Sequence, residues 1–286
     1  MAEQDNLITK AIKGYDYVMK NGDPRVDDWF MMDSPMPSFI ICMSYFIFVL
    51  VSPTFMKNRK PVEMRPVLIV YNLAMVALSG YIFYEFLMAG WLTGYSLGCQ
   101  PVDYSNSPKA LRMVRVCWLF YMSKFIELLD TVFFIMRKKF NQVSFLHVFH
   151  HGIMPISWWF GVKLVPGGFG TFHSLLNSWI HFMMYMYYGL AAMGPTFQKY
   201  LWWKKYMTTM QITQFVSVMI HSSQLLFMEC DYPIFFVYWI GFYALIFFVM
   251  FGNFYVQSYL KPKAAPSKQL HSANGSVADR NKAKRS

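Results

Sequence analysis

The sequence predicts an all-α membrane protein with seven transmembrane helices. Three observations predict it: a deficit of charge, a succession of apolar segments of bilayer-spanning length, and an alternation of basic and non-basic loops between them. Only 14% of the 286 residues are charged, while 56% are hydrophobic and 20% aromatic. A soluble domain carries about 25% charged residues. The formal net charge of +11 raises the question of nucleic acid, but the basic residues sit in short stretches between apolar runs, which argues against that partner. No internal repeat is visible, and no soluble catalytic domain fits between the apolar segments.

The apolar segments are approximately Pro37–Met56, Val67–Trp91, Val114–Met136, Val143–Val162, Phe172–Leu190, Met207–Met228 and Pro233–Val256. Each is close to the ~20 residues that cross a hydrocarbon core as a helix. The chain therefore divides into an N-terminal segment (1–36), a seven-helix domain (37–259) and a basic tail (260–286). The first segment is acidic, with Asp16, Asp23, Asp27, Asp28 and Asp33, and lacks the pattern of a cleavable signal. The tail, rich in Lys, Ala, Ser and Asn, is expected to be disordered.

The loops set the orientation. Lys57, Arg59, Lys60 and Arg65 follow the first span, and Arg137, Lys138 and Lys139 the third. Lys199, Lys204 and Lys205 follow the fifth, and seven more basic residues follow the seventh, so 17 of the 26 Lys and Arg share one side. By the positive-inside rule that side is cytosolic, with a lumenal or extracellular N-terminus and a cytosolic C-terminus. Cys99 and Cys230 then fall in loops on the oxidising side, where they are expected to form a disulfide. Cys42 and Cys117 lie within apolar segments as packing residues. Lys282 and Lys284, fifth and third from the end, resemble a dilysine endoplasmic-reticulum retention signal. A basic tail drawn to anionic lipid is the alternative reading.

Ionisable residues inside the spans call for an explanation, since each costs ~2.5–3.5 kcal/mol at a helix centre on insertion scales. The third span carries Lys124, Glu127 and Thr131 on one helical face, with Asp130 beside them. A structural ion pair is one reading of that group. The fourth span opens with His147, His150 and His151, three imidazoles on one face. The fifth carries His173, Asn177 and His181 at four-residue steps, then Tyr185, Tyr187 and Tyr188. The sixth opens with Thr208, Gln211 and Gln214. His221 stands alone and reads as structural. The predicted orientation brings these faces to one buried site opening toward the cytosol. Its rim is basic, with Arg137, Lys138, Lys139, Lys204 and Lys205, which suits a substrate bearing phosphates.

Clustered membrane histidines first suggest a di-iron desaturase or hydroxylase. Such sites need about eight histidines in three boxes, and this chain has seven in all. No metal is expected. The remaining chemistry is acid–base and acyl transfer, in which a neutral imidazole takes a proton or attacks a thioester. A seven-span transporter could use the same groups as a proton relay, but no repeat symmetry or matching broken helices support it.

Four motifs in order carry a resemblance: Lys124-Phe-Ile-Glu127-Leu-Leu-Asp130-Thr131, Phe145-Leu-His147-Val-Phe-His150-His151, Asn177-Ser-Trp-Ile-His181-Phe-Met-Met-Tyr185-Met-Tyr187-Tyr188, and Thr209-Met-Gln211-Ile-Thr-Gln214. They resemble the very-long-chain fatty-acid elongases, the 3-ketoacyl-CoA synthases of the endoplasmic reticulum. The resemblance runs from Asp23 to the tail. It implies six of the seven helices enclosing an acyl tunnel, and decarboxylative condensation of malonyl-CoA with a long-chain acyl-CoA as the first step of elongation, with no bound cofactor. It implies His150 as nucleophile and His181 as its partner in proton transfer or in holding the malonyl unit. His147, His151, Asn177 and Gln211 would orient the thioester and stabilise the enolate, and Lys124, Glu127 and Asp130 would tune imidazole charge. Arg137, Lys138, Lys139, Tyr187, Tyr188, Lys204 and Lys205 would hold the CoA portion. A homodimer, and contacts with the reductases and dehydratase that finish the cycle, are further implications. Gln142 and Leu146 disfavour the subgroup acting on shorter saturated chains, and acyl preference is otherwise left unassigned.

Overall fold

A computed structural model describes residues 6–261. Lys282, Lys284 and the expected tail from residue 262 onward lie outside the described residues. The described residues are all-helical: α1 (Leu7–Lys20), α2 (Met36–Met56), α3 (Arg65–Phe86), α4 (Pro108–Ile126), α5 (Leu128–Met136), α6 (Phe145–Leu164), α7 (Thr171–Ala192), α8 (Lys204–Ser223) and α9 (Ile234–Tyr255). Helix occupies each of the seven apolar segments. Three of these helical stretches, Met36–Met56, Arg65–Trp91 and Ile234–Leu260, are long and apolar enough to cross a membrane by length and composition alone. The others carry the polar residues that lower their hydropathy.

The starts follow ordinary capping chemistry. Ser107 accepts a hydrogen bond from the Ala110 N–H and is followed by Pro108 at the first helical position of α4. Ser144 does the same for the His147 N–H at the start of α6, fixing where the histidine-bearing face begins. Pro66 sits likewise in the first turn of α3. The third expected span is not one continuous helix. It starts six residues early, at Pro108, and breaks at Glu127, where the backbone closes an i→i+3 bond from Asp130 N–H to Glu127 C=O. The α1 helix, amphipathic and without a buried residue, has no counterpart among the expected elements.

Packing follows a chain of neighbours: α9 on α8, α8 on α7, α7 on α3, α3 on α4 and α4 on α6, with α2 laid against α6 and α5. The loops gather at two ends. At one, a disulfide joins Cys99 to Cys230 across 131 residues. There Phe169 N–H donates to the Gln100 carbonyl at 2.7 Å, and Asp23 N–H donates to the Lys163 carbonyl at 2.6 Å. The buried Lys163 ammonium pairs with Asp27. Gly168 has φ +66° here, and a Cβ would stand 2.9 Å from the carbonyls of Gln100 and Pro101, so the turn into α7 requires glycine. At the other end the basic loops meet: Lys138 donates to the Lys57 carbonyl at 3.1 Å, and Arg65 donates to the carbonyls of Ala192 and Met193.

Candidate active site

The polar faces converge in the interior. Lys124 and Glu127, at the junction of α4 and α5, are each 2% exposed. The Lys124 ammonium donates to Glu127 Oε1 at 2.8 Å and to Asn177 Oδ1 of α7 at 3.1 Å, and lies 4.2 Å from the centre of the Phe120 ring. It thus has an anion, an amide dipole and an aromatic face, the partners a buried cation needs. His181 Nδ1 is 3.1 Å from Glu127 Oε1, but off the line of a hydrogen bond. His181 Nδ1 and Glu127 Oε2 consequently have no hydrogen-bond partner among the described residues.

Asp130 belongs to a separate contact: it accepts from the Tyr185 hydroxyl at 2.7 Å. Thr131 is fully buried, with its Oγ1 2.8 Å from His147 Nε2 and 3.0 Å from the Tyr45 hydroxyl of α2. The His147 and His151 rings are 4.3 Å apart between centres, and those of His151 and His150 5.2 Å. The three imidazoles form a continuous line, with His150 at its inner end against Phe247 of α9.

A cavity opens from His150 between α4, α6, α7, α8 and α9. Near its head stand Asn177, Gln214 and Phe247; Trp158, His173, Ser157 and Tyr243 line its middle; Val165, Gly170, Tyr232 and Phe236 close its far end. Its walls are largely aromatic and aliphatic, the lining expected for an apolar ligand fixed by a few polar groups. The middle hydroxyls are satisfied internally: Ser157 donates to the Ile153 carbonyl at 2.9 Å, leaving the Tyr243 hydroxyl, 2.7 Å away, as donor to Ser157.

Of the nine expected catalytic residues, His150 and Asn177 line this cavity. Lys124, Glu127 and His181 form the layer behind Asn177, while His147 and His151 stand behind His150. Gln214 lines the cavity, whereas Gln211 approaches the Met184 sulfur on α7 at 4.0 Å. His173 also lines it, with its Nδ1 against the Gly170 carbonyl. His221 is stacked between Phe169 and Phe172, 4.0 and 4.1 Å from their centres, away from the site. Sequence reading passed over Tyr45, a single tyrosine in an apolar helix, and the Ser157–Tyr243 pair. Among the described residues no group of three His, Cys, Asp or Glu side chains is arranged to hold a metal ion.

The expected headgroup residues are at the basic end. Lys139, Lys204 and Lys205 are exposed, and Arg137 and Lys138 partly so. Tyr187 packs edge-on to Trp203 at 5.2 Å, and Lys205 lies 5.6 Å from the Tyr255 ring centre. Tyr188 is partly buried beside Tyr187.

An all-helical, membrane-type chain with a buried acid–base layer at the head of an apolar cavity is the class of protein that fold and site define. The GNS1/SUR4 (ELO) family model matches residues 30–267, most of the chain, and the protein belongs to that family. Its relatives include the human very long chain fatty acid elongase 1, 56% identical over 88% of this chain and 91% of its own length. The rat very long chain fatty acid elongase 7 is 53% identical over 91% of this chain and 94% of its own. The Drosophila melanogaster very long chain fatty acid elongase 7 is 52% identical over 95% and 84%. The family resembled by the four motifs is the family found.

Proposed function

We propose that the protein catalyses the condensing step of fatty-acid elongation, as a 3-oxoacyl-CoA synthase of the endoplasmic-reticulum membrane. Malonyl-CoA and a long-chain acyl-CoA are its substrates, and a 3-ketoacyl-CoA two carbons longer is its product. In this reading the chain spans the bilayer seven times with a lumenal N-terminus. Helices α3, α4 (continued by α5), α6, α7, α8 and α9 enclose the acyl tunnel, and the basic end faces the cytosolic pool of CoA esters.

The observation that carries the proposal is the cavity headed by His150. An imidazole nitrogen of His150 attacks the thioester carbonyl, the C–S bond breaks, and CoA leaves as the thiol after taking a proton. The acyl chain lies in the apolar cavity, which excludes water from the acyl-imidazole. Malonyl-CoA then loses carbon dioxide, and the electron pair of the broken C–C bond forms an enolate. Its α-carbon attacks the acyl carbonyl, and the imidazole of His150 departs, taking up a proton from solvent to regain the neutral ring. Asn177, fixed by Lys124, and Gln214 are placed to donate to the developing oxyanion. Glu127 pairs with Lys124, and His181 beside that pair is the candidate partner that holds the malonyl unit or transfers its proton. Arg137, Lys139, Lys204 and Lys205 supply charge for the CoA phosphates, with Tyr187 and Tyr188 as candidate contacts. Homodimerisation and contacts with the later enzymes of the cycle belong to this proposal as expected partners.

The test is mass spectrometry of purified protein incubated with a long-chain acyl-CoA. Without malonyl-CoA the protein gains the acyl mass and releases CoA, and His150→Ala gains none. Adding malonyl-CoA discharges the adduct as 3-ketoacyl-CoA. Product formed only with both substrates present, with no adduct, would replace the acyl-imidazole by direct condensation. No product from folded protein would overturn the reading.

A further inference from the structure

The α2 helix packs against α5 and α6 and contributes nothing to the cavity wall. It is nevertheless joined to the histidine box by one side chain. Tyr45 is 5% exposed and Thr131 fully buried. The Tyr45 hydroxyl is 3.0 Å from Thr131 Oγ1, which is 2.8 Å from His147 Nε2.

The direction of these hydrogen bonds follows from satisfying the two buried hydroxyls. If His147 Nε2 carried the proton, it would donate to Thr131 and Thr131 would donate to the Tyr45 oxygen. The buried Tyr45 O–H would then have no acceptor among the described residues, which is costly for a hydroxyl removed from water. In the opposite direction every hydroxyl is satisfied: Tyr45 donates to Thr131, and Thr131 donates to the Nε2 lone pair. His147 is then neutral with its proton on Nδ1.

We infer that Tyr45 is a positioning residue for the condensation: acting through Thr131, it holds His147 in one tautomer and one ring orientation at the outer end of the line His147–His151–His150. The inference rests on the reading of His150 as the reacting imidazole. His147 packs against His151, which packs against His150, so a fixed first ring restricts the other two. Charged and titratable groups around this line are Lys124 and Glu127 at the α4–α5 junction, Asp130 of α5, His181 of α7, and Cys42 on the same helix as Tyr45. None of them occupies His147 Nε2, which leaves the Tyr45–Thr131 pair as the element that sets it.

The experiment is steady-state condensation by the full-length protein in detergent, with Tyr45→Phe, Thr131→Val and Thr131→Ser. Tyr45→Phe keeps the ring and its packing and removes only the terminal hydroxyl. It lowers kcat roughly tenfold, the size of one buried neutral hydrogen bond, with KM for both substrates unchanged. Thr131→Val lowers kcat at least as far, and adding Tyr45→Phe to it lowers kcat no further, because the link is already cut. Thr131→Ser recovers most of what Thr131→Val loses. Equal kcat for Tyr45→Phe and the unmodified protein would overturn the inference. So would independent losses in the double variant, or a Tyr45→Phe defect that appears in KM or melting temperature instead of kcat. Should the unmodified protein itself form no ketoacyl-CoA, the proposed function fails, and that outcome is separate from these.

Discussion

Asn177 lines the apolar cavity and at the same time accepts a hydrogen bond from the buried ammonium of Lys124, 3.1 Å away. One amide therefore connects the cavity to the charged layer behind it. Its Oδ1 is committed to Lys124, which turns the amide N–H groups toward other partners. Asn177→Ala removes both contributions. We expect kcat to fall by about 10²–10³, the loss seen when one oxyanion donor is removed. Asn177→Asp keeps the acceptor for Lys124 but replaces the N–H donors by an anion, so it should retain stability without recovering activity. Rates and thermal unfolding of the two variants, measured side by side, check this.

The Lys124–Glu127 pair makes a prediction about stability. Both side chains are buried, and their closest atoms are 2.8 Å apart. Lys124→Met leaves a buried carboxylate with only the Ser123 hydroxyl and His181 beside it, a change that costs about 3–5 kcal/mol. Glu127→Gln strands the ammonium in the same way. The double variant Lys124→Met/Glu127→Gln removes both charges, and it should melt at a higher temperature than either single variant while remaining inactive. Additive losses in melting temperature would show that the two residues do not form a coupled pair.

How much of this was legible in the sequence differs by element. The long helices were, because a chain suited to lipid must satisfy its backbone internally and surround itself with apolar side chains, which leaves long apolar runs. Helix α1 was missed because a short amphipathic helix lacks such a run. The break at Glu127 carries no Gly or Pro to announce it. Within the site, the four-residue steps of His173, Asn177 and His181 showed a common face, yet the structure puts His173 and Asn177 on the cavity and His181 one layer behind. Likewise Gln211 and Gln214 are three residues apart, and the rotation of α8 decides which one faces inward. Tyr45 was invisible for a different reason: its partner, Thr131, is 86 residues away, and nothing local distinguishes it from a packing tyrosine.

The disulfide pins the loop after α3 to the loop after α8, 131 residues apart. Removing it by Cys99→Ser/Cys230→Ser should reduce stability by about 2–4 kcal/mol, seen as a lower melting temperature in detergent. Activity at low temperature should change little, since His150 is at the opposite end of the cavity. A single variant, Cys230→Ser, should lose as much as the pair, because either change breaks the same bond.

Cavity depth gives the last prediction. Phe247 contacts the His150 ring at 5.0 Å between centres, and Ile240 lines the same cavity seven residues earlier on α9. At 1.5 Å of rise per residue, Ile240 is ~10 Å further from the reacting end. Ile240→Trp adds bulk there without touching the histidines. Short acyl-CoAs, whose chains stop before this level, should be condensed as before, while longer ones lose kcat/KM by at least about tenfold, a penalty of ~1.4 kcal/mol that overpacking readily exceeds. The check is a panel of saturated acyl-CoAs of increasing length assayed with both proteins. A uniform loss at all lengths would mean that the substitution disturbs the site itself. An unchanged profile would mean that the acyl chain does not run along α9, and the cavity would lose its assignment.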